Sequence, residues 1–343
     1  MATSIAILGS SGYAGGELIR LADGHPDITV AYLGAFSKAG RTLGSVHPHL
    51  RDGDRILGGN EPDAVPGVDL AFLALPHGAS SVHAMALLER GIPVVDLGSD
   101  FRLDTPRRYL DAYGVDHLYP DQLGQWVYGL PERHRSEIVG ADRVASPGCY
   151  PTSAILPLAP LLSAGVVEPA GIVVDAMSGV SGAGRGVQES LQFGAVDESA
   201  KAYKILEHRH QPEMERALDV ESSSPVEVIF TPHLVPMQRG ILTTIYAQTL
   251  EGTTLDDLVD VLESAYRNEP FVSLVVGSPE TRWVTGSNRA LISANFDERT
   301  GKAVLVSAID NLVKGAAGQA VQAANLMLGL EETSGLPMEG WMP

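Results

Sequence analysis

The apolar positions fall into two textures. In the first part, short apolar runs at residues 4–9, 29–36, 69–75 and 93–97 alternate with segments of helical spacing. Compact apolar runs bounded by turn residues predict buried strands, and strands alternating with helices predict a parallel, doubly wound sheet. Between the last two runs, residues 79–90 place Val82, Met85, Ala86 and Leu88 along one face, with Leu87 beside it, and predict a helix. Residues 104–143 are rich in Tyr, Asp and Pro without such a period, and predict a long surface excursion. Residues 143–146 predict the last strand of this half.

Beyond residue 149 the extended runs lengthen. Residues 172–176, 226–231, 240–249 and 271–276 predict strands, with 232–239 as the connection between the second and third. Residues 289–296 and 302–309 predict a hairpin closed by 297–301. Residues 255–267 predict an amphipathic helix and 313–328 a small-residue helix. Such a run of long strands predicts a mixed or antiparallel sheet and a second domain of α+β type.

The first apolar run enters Gly9-Ser10-Ser11-Gly12-Tyr13-Ala14-Gly15, with a helix expected from about residue 16. A glycine turn between a strand and a helix exposes backbone N–H groups and the positive end of the helix dipole, which together receive a phosphate. Gly9, Ser11, Gly12, Tyr13 and Ala14 are therefore candidate dinucleotide contacts. An NAD site places a carboxylate after the second strand, on the ribose 2′-hydroxyl. Here that position carries Ser37, Lys38 and Arg41, which suit a 2′-phosphate and point to NADP(H). Pro76, in the loop after the third strand, and the loop 98–102 lie at the carboxyl edge of the sheet, where such folds bind ligands.

The only cysteine, Cys149, stands in Ser146-Pro147-Gly148-Cys149-Tyr150-Pro151-Thr152 at an expected helix start. Gly148 is expected to allow a sharp turn there, and Pro151 suits a first helical turn. A thiol at a helix N-terminus has its pKa lowered from about 8.5 and becomes a strong nucleophile. Histidine suits acid–base work near neutral pH, and the stretch Glu207-His208-Arg209-His210-Gln211-Pro212-Glu213 supplies two. No third ligand at metal spacing accompanies them, so no metal is expected. His25, His47, His49, His117 and His134 lie in polar loops and are expected at the surface. A lone thiol beside a nicotinamide-binding half suggests acyl transfer to sulfur coupled to hydride transfer, because a thioester accepts hydride far better than a carboxylate.

Composition narrows the rest. A net charge of −18 argues against nucleic-acid binding, which needs a basic surface. No apolar run approaches the roughly 18 residues that span a bilayer. No secretory signal is legible, and one cysteine gives no intrachain disulfide, so cytoplasm is the expected compartment.

The Cys149 and His208–Glu213 stretches and the opening glycine turn resemble the N-acetyl-gamma-glutamyl-phosphate reductase family of arginine biosynthesis. So do Asp96-Leu97-Gly98-Ser99-Asp100-Phe101-Arg102, Tyr128-Gly129-Leu130-Pro131-Glu132, Thr231-Pro232-His233-Leu234-Val235-Pro236-Met237 and Asp310-Asn311-Leu312-Val313-Lys314-Gly315-Ala316-Ala317. The resemblance implies a Rossmann-type dinucleotide-binding domain over 1–148, completed by the C-terminal helix at about 311–343. It implies an α+β catalytic and dimerisation domain with a mixed sheet over 149–310, and a homodimer or homotetramer. It also implies that Cys149 attacks N-acetyl-L-glutamyl 5-phosphate, that NADPH reduces the resulting thioester, and that His208 is the acid or base. Arg102, His210, Glu213 and Ser181 are then candidate substrate contacts, and Ser178, Gly179, Gly182 and Asn311 candidate cofactor contacts. The same chemistry on a carrier-linked aminoadipyl or glutamyl phosphate, or on aspartyl phosphate, is the alternative. A carrier with an acidic tail suits a basic approach surface, which this charge does not offer, and the aspartate enzymes differ in the histidine stretch. A non-catalytic NADP-binding sensor would have little need for Cys149 and His208 together.

Overall fold

A computed structural model describes residues 2–342 and forms two compact units. Unit 1 comprises Met1–Pro147 and Ala316–Leu336; unit 2 comprises Gly148–Gly315 and Pro337–Pro343. Residues 311–315 and 337–342, expected with the nucleotide half, group with unit 2.

In unit 1, strands β1 (Thr3–Leu8), β2 (Ile28–Gly34), β3 (Leu70–Leu73), β4 (Val94–Asp96), β5 (Val127–Tyr128) and β6 (Arg143–Ala145) form one sheet in the order β2-β1-β3-β4-β6-β5. Every pairing is parallel. The strands are separated by helices α1 (Tyr13–Ala22), α2 (Leu43–Val46), α3 (Ser80–Glu89), α4 (Pro106–Tyr113) and α5 (Pro131–Ile138). All of β3 and the last four residues of β1 are buried, as expected of strands covered on both faces.

The expected excursion at 104–143 is in fact structured. Thr105 caps α4 by accepting the Arg108 N–H, Pro106 fills its first position, and Gly114 ends it at φ 71°. These are ordinary stop and start signals. Tyr109 is the fully buried residue of α4, and Ala112 and Tyr113 pack beside it against Leu103 and Leu123, a short stripe in a polar segment. At two residues, β5 is too short to show a period.

The returning helix Gly318–Met327 is buried from Gly318 to Leu326, including Gln319, Gln322 and Asn325. Its amides are bonded: Gln322 Nε2 donates to Glu132 and Glu332, and Asn325 Nδ2 donates to the carbonyls of Glu332 and Ser334. His25 completes the set, with Nε2 3.1 Å from Asn325 Oδ1. His25 is therefore buried, as are His47 and His117, against the expectation of surface positions. His47 donates from Nε2 to the Ser10 carbonyl and lies against Gly16, where a Cβ would meet its ring at 2.5 Å. It thus braces the glycine turn.

In unit 2, β7 (Ile172–Ser178), β8 (Lys201–Ala202), β9 (Val228–Leu234), β10 (Ile241–Gln248), β11 (Val272–Leu274), β12 (Ala290–Asp297) and β13 (Lys302–Ile309) form a mixed sheet in the order β11-β12-β13-β10-β7-β9-β8. Pairs β7–β9 and β11–β12 are parallel and the rest antiparallel. Strand β9 runs on through Pro232, His233 and Leu234, which the sequence reading took as a connection. Pro232 is accommodated because β9 pairs parallel with β7 on one side, while its other neighbour, β8, is only two residues long. The helices are α6 (Cys149–Ser163), α7 (Phe193–Val196), α8 (Gln211–Asp219) and α9 (Leu255–Tyr266). The expected helix 313–328 begins with a π-helical turn over Val313–Ala317 before its α-helical part.

Helix α6 contains Pro157 and Pro160 and is still continuous. A proline lacks the N–H that would bond four residues back, which frees the carbonyls of Ser153 and Leu156. Ser307 Oγ donates to the first at 2.6 Å, and the Tyr266 hydroxyl donates to the second. The helix that carries the cysteine is thereby tied to β13 and α9.

Candidate active site

Cys149 is the first residue of α6. Its N-cap, Gly148, has φ −68° and ψ 155°, an extended conformation open to any residue, so the expected glycine-dependent turn is not present. The glycine beside the thiol that is needed is Gly315: a Cβ there would come within 2.7 Å of Cys149 Cβ. No side chain caps α6, and its first turn holds no acid. The helix dipole therefore favours a thiolate at half-buried Cys149.

Glu213 holds this start in place. It is fully buried, and its Oε1 accepts the Gly148 N–H at 2.8 Å. Glu213, expected at the substrate, thus also positions the cysteine turn. Asn311, expected at the cofactor, likewise holds backbone and side-chain partners. Its Oδ1 accepts the Gly240 N–H at 2.7 Å and its Nδ2 donates to Ser181 Oγ at 2.9 Å, so both ends of the amide tie loops together. Ser181, its partner, was expected to touch substrate. Gly179 is required because a Cβ would lie 2.8 Å from the Arg239 backbone nitrogen.

A cavity of about 390 Å³ opens over Cys149. Ser178, Gly179 and Gly182 line it from the end of β7, and His208 and His210 from the segment before α8. His208 is almost fully buried, with rings of Tyr150, Tyr203, Phe230 and His210 at 4.8–5.7 Å. Burial, reinforced by the cations Arg209 and Lys204, lowers its pKa to about 4, so it is neutral at pH 7. Its Nδ1 accepts the His210 backbone N–H at 3.2 Å. An accepting Nδ1 carries no hydrogen, so the neutral ring bears its proton on Nε2. His25 and His117 use the same two-residue turn, accepting the N–H of Asp27 and Tyr119. The hydroxyls of Tyr150 and Tyr203 are 3.0 Å apart, and burial raises both above the usual phenol range.

The other candidates are in unit 1. Gly9 has φ +80°, and a Cβ there would lie 2.2 Å from the Ala74 carbonyl oxygen; at Gly15 it would lie 2.3 Å from the Gly9 oxygen. Helix α1 starts at Tyr13, earlier than expected, behind Gly12, with no capping side chain and no acid in its first turn. With neither a capping side chain nor an acid there, the start of α1 suits an anion. Ser11 and Ala14 are partly exposed at this turn, and Ser37, Lys38 and Arg41 are exposed beyond β2. Among the described residues these two cations have no carboxylate partner. Pro76 is exposed after β3, ahead of Gly78 at φ +81°.

Arg102 sits in the loop after β4, buried, with Nη2 donating to the Leu97 carbonyl at 2.7 Å. It lies beside a carboxylate pair. Asp100 is opposed by burial but held at about 2 by His77 and by the N–H groups of Gly78 and Ser81. Burial and the charge of Asp100 push Asp96 up to about 7. One guanidinium nitrogen of Arg102 thus braces the backbone of its own loop.

Sequence reasoning missed Lys201, Tyr203, Lys204 and Arg209, all of which line the cavity. Arg209 lay inside a quoted motif; the other three stand in an exposed strap with no period. The adjacency of Tyr150 to the cysteine was the one available signal for the tyrosine pair.

Comparison with known proteins adds the following. The family description "Semialdehyde dehydrogenase, NAD binding domain" matches residues 4–141, and "Semialdehyde dehydrogenase, dimerisation domain" matches 149–311. A Symbiobacterium thermophilum protein named N-acetyl-gamma-glutamyl-phosphate reductase is 47% identical over 340 residues, 98% of either chain. Proteins of the same name from Pelotomaculum thermopropionicum and Moorella thermoacetica are 44% and 45% identical, over 100% and 98% of this chain and 100% and 99% of their own. Aspartate semialdehyde dehydrogenase II from Vibrio cholerae has the same fold, with a TM-score of 0.74 at 19% identity, over 96% of this chain and 99% of its own. The aspartate semialdehyde dehydrogenase solved with NADP from Candida albicans gives 0.67 at 16%, over 96% and 99%.

Proposed function

The chain belongs to the N-acetyl-gamma-glutamyl-phosphate reductase family, within the semialdehyde dehydrogenases, and on that premise we propose that it reduces N-acetyl-L-glutamyl 5-phosphate to the 5-semialdehyde, releasing phosphate. The observation that carries this reading is Cys149 at an uncapped helix start, under a cavity it shares with neutral His208. Cys149 Sγ attacks the acyl carbon, the phosphate leaves with the C–O bonding pair, and a thioester forms. NADPH supplies the hydride that reduces the thioester carbonyl. The C–S bond of the resulting thiohemiacetal then breaks, giving the aldehyde and returning the thiol. His208, with its proton on Nε2, donates a hydrogen bond to the oxyanion that develops at the acyl carbon. It acts as a hydrogen-bond donor to that oxyanion rather than as the base that deprotonates the thiol.

The glycine turn fits the cofactor's pyrophosphate: its backbone packs too tightly to admit a side chain at Gly9 or Gly15, a Cβ at Gly12 would meet nothing closer than 3.5 Å, and no side chain caps α1. Ser37, Lys38 and Arg41 hold the 2′-phosphate and select NADPH. The enzyme is a homo-oligomer, a dimer or tetramer. In support, unit 2's sheet turns Val173, Met177, Ile229 and Tyr246 to one face, with Met177 48% and Ile229 49% exposed. The testing experiment is a substrate panel: N-acetylglutamyl, aspartyl and carrier-linked acyl phosphates assayed side by side with NADPH. Turnover confined to the first is expected; preference for another acyl phosphate would replace this substrate.

A further inference from the structure

We propose that Lys204 and Arg209, with Lys201 beside them, form an oxyanion subsite that seats a phosphate or carboxylate group of the substrate over Cys149. The proposal deepens the acyl-phosphate reading and rests on it.

Three observations carry it. The cavity lining includes Lys201, Lys204 and Arg209 and no carboxylate, in a chain with 42 acidic and 24 basic residues. Such a concentration of one sign in the mouth of a concave site focuses an attractive field on an anion. Second, among the described residues none of the three has a carboxylate partner, although Glu198 and Glu207 stand on the same segment. Their charges are uncompensated, and the fields of Arg209 and Lys204 reach His208.

Third, the segment is held rather than loose. Lys201 and Ala202 pair with β9, the Tyr203 N–H donates to the Pro232 carbonyl, and the Tyr203 hydroxyl meets that of Tyr150, next to the cysteine. Glu198, Lys204 and Leu206 have φ of 53°, 46° and 60°, the left-handed region that L side chains rarely adopt. Strain of this kind persists only where the surroundings impose it, and here it falls on Lys204, a residue of the cavity lining. An acyl phosphate offers two groups to such a subsite: the phosphate that leaves and the carboxylate that stays. A phosphate seated here would be stabilised as it departs; a carboxylate would set the length of acyl chain that reaches Cys149.

The test is protection of Cys149 from iodoacetamide by inorganic phosphate and, separately, by N-acetylglutamate, in the full-length protein. In the wild type at least one of them slows alkylation. In Lys204→Met and Arg209→Met the half-protecting concentration of that ligand rises at least about tenfold, the effect of losing one charge-assisted contact. The ligand affected identifies the group bound. Lys204→Arg retains protection, which separates lost charge from a disturbed strap. Absence of protection in the wild type by either ligand, or unchanged protection in both methionine variants, overturns the subsite. Protection that behaves as stated in a protein unable to reduce N-acetylglutamyl phosphate would leave the subsite standing and overturn the functional reading instead.

Discussion

Helix α1 starts behind Gly12 and helix α6 behind Gly148; neither has a capping side chain and neither carries an acid in its first turn. Both therefore present a positive dipole end with no side chain of their own helix to neutralise it. They differ in what stands there. At α1 the first residue is Tyr13, 42% exposed, behind a turn packed too tightly for side chains at Gly9 and Gly15, and the first turn brings no anion of its own. At α6 the first residue is the cysteine, so the anion is built into the chain. A built-in anion needs fixing in place, and the structure supplies it: Glu213 on the Gly148 N–H and Gly315 packed against Cys149. One electrostatic device thus serves a diffusible phosphate in one unit and a covalent nucleophile in the other, and the difference lies in the bracing.

Removing the built-in anion is expected to have the largest effect. Cys149→Ser should lower turnover by about 10⁴-fold or more, because an unactivated hydroxyl is a poor nucleophile, while NADPH still binds by fluorescence titration. Normal turnover would remove α6 from the chemistry. The counterpart at α1 is Gly15→Ala, whose Cβ would be driven to 2.3 Å from the Gly9 oxygen. It should weaken NADPH binding by about 100-fold and cost about 1–3 kcal/mol of stability. At Gly12 a Cβ would meet its nearest neighbour at 3.5 Å, so Gly12→Ala should be far milder. Equal effects at the two positions would contradict the tight packing of the turn at Gly15.

Smaller changes separate charge from position. Replacing Ser37, Lys38 and Arg41 together by alanine should lower the NADPH-over-NADH preference by about 10–100-fold in kcat/KM, the size of one or two charge-assisted contacts. An unchanged ratio would sink the assignment of the 2′-phosphate to this loop. Glu213→Ala leaves the buried Gly148 N–H without its partner and should lower kcat by about tenfold with little change in NADPH affinity. Glu213→Gln keeps an acceptor oxygen there and should recover most of the loss; if it does not, hydrogen bonding to Gly148 is not what Glu213 contributes.

The smallest effect concerns pH. His208 is held at about 4, below the ordinary histidine value of about 6.5, so between these values the folded state binds fewer protons than the unfolded one. Its contribution to stability is full above pH 6.5 and is lost as pH falls toward 4. The loss between pH 7 and 5 is about 2 kcal/mol, shared with smaller losses of the same sign at His25 and His117. His208→Asn should flatten that slope in urea melts, and a slope unchanged by the substitution would argue against a neutral buried ring.

Much of this was legible in the sequence. The runs of β1 and β3 are apolar throughout because both faces are covered, and the β12–β13 hairpin closed where its turn residues stood. The cysteine and histidine stretches announced themselves by residue type. What could not be read depended on contacts distant in sequence. Pro157 and Pro160 argue against a continuous α6 until Ser307 and Tyr266 supply the missing partners. His25 lay in a polar loop and is buried only because Asn325, 300 residues away, meets it. Glu213 and Asn311 stood correctly in motifs, but which backbone groups they hold is a property of the fold. The helix α4 was missed because its stripe of Tyr109, Ala112 and Tyr113 is short and stands among charged residues.

The central claim is that Cys149 takes the acyl group before any reduction. The direct measurement mixes the protein with N-acetylglutamyl phosphate in the absence of NADPH, then quenches in acid for intact and peptide mass spectrometry. The account predicts release of about one phosphate per active site and an N-acetylglutamyl adduct on the peptide containing Cys149, absent from Cys149→Ser. Phosphate release that requires NADPH, or an unmodified cysteine peptide after phosphate has been released, would contradict it.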